Sequence, residues 1–237
     1  MFMLLTLPHP IISSSLVRDH QLTNRFEKSF QMSLVECLDD ILEVDYASGG
    51  GLVNQQNVGQ SRSKMSLIHY HSMARSDMGA KKSSRCNAHT DSGQITLLFQ
   101  DDVGELEVCD RRSPCGQSLF VPVPPVQGAI IVQVGDMLEK QSNGRWRSAL
   151  HRVTVPTPTT REEIDRSAVV VDTLKDRYSI AFFLYPDFKT RIEALPECKI
   201  KGPWNSMDWG SVQTAGQWWR ERIRLEFGGH VSKAETT

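Results

Sequence analysis

The 237-residue chain lacks an excess of charge of either sign: 27 Lys and Arg stand against 28 Asp and Glu, a formal net charge of −1. Without a basic surplus there is little to neutralise a phosphate backbone, so a nucleic-acid partner is not expected. The same balance argues against a disordered chain or an acidic tail. Cysteine is sparse and unpatterned. The five residues Cys37, Cys86, Cys109, Cys115 and Cys198 are odd in number and include no C-x-x-C pair. Cys109 and Cys115 are spaced to close a small loop, but reduced thiols in a cytoplasmic protein are the expectation. No run approaches the roughly 20 apolar residues of a membrane helix, so no membrane partner is expected. The apolar start, Met1 to Leu7, has no positive n-region and is cut short by Pro8, which makes a poor secretory signal. What remains is ordinary for one globular domain, alone or with appended pieces: 39% hydrophobic residues, enough to bury a core.

Residues 1–20 show no clear period, and no internal repeat is present. From Asn24 to Tyr46 the apolar positions Phe26, Phe30, Leu34, Leu38, Ile41 and Leu42 fall three or four apart. That spacing predicts an amphipathic helix, with Asn24 and Glu27 in a capping-box relation. Ala47–Lys64, rich in Gly, Ser, Asn and Gln, reads as a flexible connection. Short strands are then predicted over Met65–Ser72, Ala88–Gln100, Glu105–Val108, Phe120–Val123, Ala129–Val134, Ser148–Val155 and Tyr178–Tyr185. Turn formers such as Pro124-Pro125, Gly135-Asp136 and Asn143-Gly144 separate them. Many short strands at regular intervals predict a β-sandwich or barrel. Pro156–Asp176 reads as a polar insertion, and Ala215–Phe227 as a helix ended by Gly228-Gly229.

Seven histidines are present, and His89-Thr90-Asp91 is the informative group. On a strand, residues two apart point to one side, so an imidazole and a carboxylate would face one interior point. His151, in the strand-like run Ser148–Val153, suits the role of a third ligand. Two histidines and a carboxylate leave three open positions on an octahedral ion, which suits non-haem Fe(II). His-x-Asp by itself is a weak signal, because strand histidines are more often structural. The partner motif is Arg177-Tyr178-Ser179-Ile180-Ala181-Phe182-Phe183. Alternation turns Arg177, Ser179, Ala181 and Phe183 to one side. An arginine facing an apolar interior needs an anion, and its planar fork matches a carboxylate in two hydrogen bonds, with the Ser179 hydroxyl adding a third. A rim arginine paired with Asp176 or Asp187 is the blander reading.

Ala88-His89-Thr90-Asp91-Ser92-Gly93-Gln94 through Val108 closely resembles the iron- and 2-oxoglutarate-dependent dioxygenases of the isopenicillin-N-synthase-like group. Gly135-Asp136-Met137-Leu138, Asn143-Gly144-Arg145 and Ser148–Val153 look like the family's next block. Arg177-Tyr178-Ser179 looks like its Arg-x-Ser strand, and Leu67-Ile68-His69-Tyr70-His71 is similar to the strand ahead of the metal motif. The resemblance implies a mainly β fold with flanking helices, a cupin-like double-stranded β-helix or jelly roll. The divisions it implies are an N-terminal helical remnant and linker (1–64), the jelly-roll domain (65–190), and a C-terminal helical segment covering the barrel (191–237). It implies Fe(II) on His89, Asp91 and His151, and 2-oxoglutarate on Arg177 and Ser179 with Tyr70 as a further donor. O2 is the oxidant, with ascorbate as an auxiliary reductant. The expected reaction turns 2-oxoglutarate into succinate while a small organic molecule of secondary metabolism is hydroxylated, desaturated or cyclised.

Relatives carry a longer N-terminal region, so a shortened form is expected here. His71 stands where many relatives have proline. His69-x-His71 is a conceivable two-nitrogen metal pair, but alternation turns both residues away from Tyr70's side, and they read as rim residues. For substrate contact the candidates are Phe183, Trp146, Met73 and the segment around Trp204 and Trp209. Two alternatives accompany the dioxygenase reading: an iron oxidase that does not use 2-oxoglutarate, and an inactive binding module. Oligomeric state is left open.

Overall fold

Along three neighbouring segments the apolar side chains divide between two faces, and that division organises the molecule. The computed structural model describes residues 2–6, 36, 52, 55, 63–74, 85–110, 119–155, 173–196, 198 and 213–226. A five-stranded sheet has the order β1 (Phe2–Thr6), β8 (Ala129–Val134), β5 (Ile95–Gln100), β11 (Arg177–Leu184), β2 (Lys64–Tyr70). A four-stranded sheet has the order β4 (Cys86–His89), β9 (His151–Val153), β6 (Leu106–Asp110), β7 (Leu119–Pro122). A two-stranded ribbon joins β3 (Met73–Ala74) to β10 (Thr173–Leu174). Among the described residues every strand pairing is antiparallel. This is the expected mainly β jelly roll, with two sheets enclosing one interior.

On the outer face of the larger sheet, Ile95, Leu97, Ile130, Val132, Val134, Phe182 and Leu184 pack with Leu52, Leu138, Trp146, Leu195 and Cys198. On its inner face, Leu98, Ile131 and Ala181 pack against Leu106, Val123 and Val153 of the opposing side. Registers Ala181↔Leu98 and Leu98↔Ile131 place these side chains in one row. Each fully buried Leu, Ile or Val contributes about 1.5–3 kcal/mol of hydrophobic burial. A slip of one residue would turn the inner row outward, so the alternation fixes the register.

Besides the two-residue strands β3 and β10, two elements are absent from the sequence-based prediction. Phe2–Thr6 forms β1, paired to β8 with Phe2 opposite Gln133; a five-residue apolar run carries too little period to separate strand from helix. Asp136–Gln141, read as part of a turn, forms the short helix α1, whose Met137, Leu138 and Gln141 are buried. The C-terminal helix α2 spans Ala215–Glu226, and its Trp218 and Trp219 pack against the cluster of Met137, Tyr185, Ile192 and Ala215. The turn at Asn143-Gly144 appears as expected, with both residues at positive φ, 50° and 73°. Of the helix predicted over Asn24–Tyr46 only Glu36 is described, and it is helical. Most of the Ala47–Lys64 connection and of the 156–176 insertion lies outside the described residues, as do Trp204 and Trp209. Among the described residues no helix is long and apolar enough to cross a membrane.

Candidate metal centre

The predicted strand Ala88–Gln100 is two strands separated by a loop. His89 ends β4, and Asp91 stands in the loop before β5. Strand alternation therefore does not bring His89 and Asp91 together. The N-terminus of α1 does, because Asp136 N–H donates to Asp91 O at 2.8 Å and Met137 N–H to Gly93 O at 3.0 Å. Two glycines make this approach possible. A Cβ on Gly135 would lie 2.3 Å from Gly93 O, and one on Gly93 would lie 2.6 Å from Leu184 O. The third residue arrives through the sheet, since His151 begins β9 directly opposite His89.

Asp91 Oδ1 lies 3.7 Å from His89 Nε2 and 3.9 Å from His151 Nε2. Ligand atoms of all three residues lie within 4.8 Å of one another. Each imidazole is oriented by a carbonyl. His89 Nδ1 donates to Asn87 O at 2.8 Å and His151 Nδ1 to Ala149 O at 2.9 Å. With Nδ1 engaged in these bonds, Nε2 is the atom each ring would present to a metal. The Thr96 hydroxyl donates to Asp91 Oδ2 at 2.6 Å, which leaves Oδ1 toward the histidines. His89 is held up to about 9, chiefly by its hydrogen bond to Cys86 Sγ, and burial pushes His151 down. A metal held by these residues would compete with a proton at His89.

Arg177 is only 1% exposed. Its Nε donates to Gly104 O at 2.6 Å and Nη2 donates to Gln100 Oε1 at 3.1 Å. Its guanidinium carbon sits 5.0 Å from the centre of the Tyr70 ring, the residue opposite it in register. Burial raises the Tyr70 phenol above its ordinary range, against the lowering effect of the Arg177 charge. Arg177 Nη1 and Ser179 Oγ are buried without a well-formed hydrogen bond. Native interiors rarely leave such groups unmatched, and a carboxylate would satisfy both.

One cavity of about 450 Å³, counting its open mouth, joins the two groups of residues; His89, Asp91 and His151 share its walls with Tyr70, Arg177, Ser179 and Phe183. Met73 and Trp146 are not among the lining residues: Met73 lies in the β3–β10 ribbon and Trp146 in the outer core cluster. Thr96, Gln100 and Gln133 were not singled out from the sequence. Gln133 lines the cavity and its Oε1 is buried without a hydrogen bond; a lone glutamine in the apolar run Ala129–Val134 was the available signal.

Residues 62–186 match the family model of the 2OG-Fe(II) oxygenase superfamily. The chain belongs to this superfamily. It is 48% identical over 152 residues to the 2-oxoglutarate-dependent dioxygenase lolO1 of Epichloe uncinata, covering 64% of this chain and 40% of that protein. It is 35% identical over 167 residues to the 2-oxoglutarate-dependent dioxygenase htyE of Aspergillus rugulosus, covering 70% of this chain and 46% of that one. The chain thus spans less than half the length of these curated relatives. Among solved structures, a full-length Neurospora crassa protein in complex with alpha-KG and thymine matches with a TM-score of 0.69 at 23% identity, over 95% of this chain and 64% of that one. The rice dioxygenase for auxin oxidation matches with a TM-score of 0.58 at 22% identity, over 89% and 61%. At these identities the likeness is one of fold. This superfamily uses Fe(II), 2-oxoglutarate and O2. The donor set of two imidazole nitrogens and one carboxylate suits Fe(II), and the unmatched Arg177 and Ser179 atoms suit the dicarboxylate.

Proposed function

We propose that this protein is an Fe(II)- and 2-oxoglutarate-dependent oxygenase that hydroxylates, desaturates or cyclises a small, partly apolar molecule of secondary metabolism. The observation that carries the reading is the shared cavity, with a two-histidine, one-carboxylate face in one wall and a buried, incompletely bonded arginine in another. In this reading His89, Asp91 and His151 hold the iron. Bound there with 2-oxoglutarate and O2, iron supplies the oxidising chemistry, with succinate and CO2 as the products of the 2-oxo acid. Arg177 and Ser179 anchor the distal carboxylate, and Tyr70 packs beside the guanidinium. Ile68, Leu98, Leu106, Val153 and Ala181 line the same cavity and exclude water from it, which strengthens each polar contact inside. Phe183 is the substrate contact that this reading retains. Residues 65–190 are assigned to the oxygenase unit, with the described part of the 191–237 segment packed on it through Ile192, Ala215, Trp218 and Trp219. Cytoplasmic residence belongs to the same reading, supported by the thiols of Cys86, Cys109 and Cys198.

Anaerobic addition of 2-oxoglutarate to folded, Fe(II)-loaded protein is expected to produce a visible metal-to-ligand absorption band. A succinate-release screen against a panel of small molecules then identifies the substrate class. Failure of the band to appear in iron-loaded protein overturns the reading. Turnover without succinate would replace it with the oxidase that dispenses with 2-oxoglutarate.

A further inference from the structure

A second group of metal-ligating side chains lies outside the cavity. His69 and His71 flank Tyr70 at the end of β2, and Asp176 immediately precedes Arg177 at the start of β11. Ligand atoms of the three come within 4.8 Å of one another, and all three residues are exposed. Strand alternation explains the separation: Tyr70 turns inward to line the cavity, so its two neighbours turn outward.

The cluster is held in place. His69 Nε2 lies 2.8 Å from Asp176 Oδ1, and the Ser72 N–H donates to the same oxygen at 3.0 Å. The His69 ring stacks on Tyr178, with centroids 4.4 Å apart and planes 14° apart. His71 brings its ring to within 4.1 Å of the His69 centroid. Two imidazoles therefore converge on one carboxylate whose position is set by a backbone donor.

We infer that His69, His71 and Asp176 form a second divalent-metal site, suited to Zn²⁺ and distinct from the cavity's iron-type site. The donor chemistry is two nitrogens and one oxygen, which accepts Zn²⁺, Co²⁺, Ni²⁺ or Cu²⁺, with water completing the coordination. Bond lengths near 2.1 Å require only small rotations of exposed side chains. Because Tyr70 and Arg177 are register partners, a metal here ties together the ends of the two strands that carry them.

The test uses the full chain stripped with a chelator and titrated with Zn²⁺ by calorimetry and with Co²⁺ by absorption. Wild-type protein is expected to bind two equivalents. His71→Ala and His69→Ala, both at exposed positions, should each weaken one equivalent at least tenfold and leave the other unchanged. Asp91→Ala should lose the other equivalent and retain the one sensitive to His69 and His71. Thermal unfolding of each metal-free variant checks that the fold is intact. A single equivalent in wild-type protein, or a second equivalent that survives both histidine substitutions, overturns the inference. The oxygenase reading is tested separately by the 2-oxoglutarate band, which neither outer histidine should affect.

Discussion

Arg177 lines the cavity, donates hydrogen bonds to Gly104 O and Gln100 Oε1, and holds its buried Nη1 without a well-formed one. Hydrogen bonds to a charged group contribute about 1.5–3 kcal/mol. Arg177→Ala is therefore expected to weaken 2-oxoglutarate by roughly 10- to 100-fold while metal binding persists, as read by anaerobic titration. Thr96→Val keeps the side-chain volume but removes the 2.6 Å donor to Asp91 Oδ2. Loss of such a ligand-orienting bond should lower metal affinity by about 10- to 100-fold, measured by Co²⁺ titration against wild type. The proton at His89 makes metal uptake pH-dependent. Its folded value, about 9, lies above the ordinary 6.5. In the metal-free protein the stabilisation from this proton is complete below pH 6.5 and is lost as pH rises through 9. Metal binding runs the opposite way: affinity should rise with pH across the same window, because less proton remains to displace. Cys86→Ala should shift that profile toward lower pH, since the Cys86 hydrogen bond is the main cause of the raised value. At this scale Arg177 and Ser179 were legible, because alternation puts both on the buried face. Thr96 was not, because its partner Asp91 is presented by a loop.

The decisive element is the Thr90–Gln94 loop, gripped from two sides. The α1 N-terminus takes the carbonyls of Asp91 and Gly93. From α2, Trp218 Nε1 donates to Ser92 O at 3.2 Å and Arg222 Nη2 to Thr90 O at 3.2 Å. Gly135→Ala drives a Cβ into the Gly93 carbonyl at 2.3 Å, where backbone rather than a flexible side chain must yield. Overpacking of this kind costs about 1–3 kcal/mol. Urea unfolding should show that loss, and Co²⁺ affinity should fall with it because Asp91 moves with the loop. Strand positions were read well where alternating or apolar runs were long, as in Ala129–Val134, predicted and observed with the same bounds. The Ala88–Gln100 prediction merged two strands, since the residues that break it, Asp91 to Gln94, form their bonds to α1 and to Leu184 rather than to near neighbours.

For the molecule as a whole, the two sheets meet around a polar site that leaves buried groups incompletely bonded. Ligands that complete them bind the folded state alone and stabilise it by mass action, by about 2.7 kcal/mol at a hundredfold excess over Kd. Thermal unfolding should therefore shift upward by several degrees with Co²⁺ and 2-oxoglutarate together, more than with either alone, and chelator should reverse the shift. Arg177→Ala should abolish the 2-oxoglutarate increment and keep that of the metal.

The order of short strands and the inward face of β11 follow from local order in the chain, because two-residue periodicity is written between near neighbours, and the three candidate ligands follow from the resemblance of their motifs to the family. The tertiary structure alone decided that Asp91 reaches the histidines from a loop, that Thr96 aims its carboxylate, and that Asp176 joins His69 and His71 outside. Each of these depends on contacts between residues distant in sequence, such as His69 and Asp176, separated by 107 positions. Only packing brings such residues together.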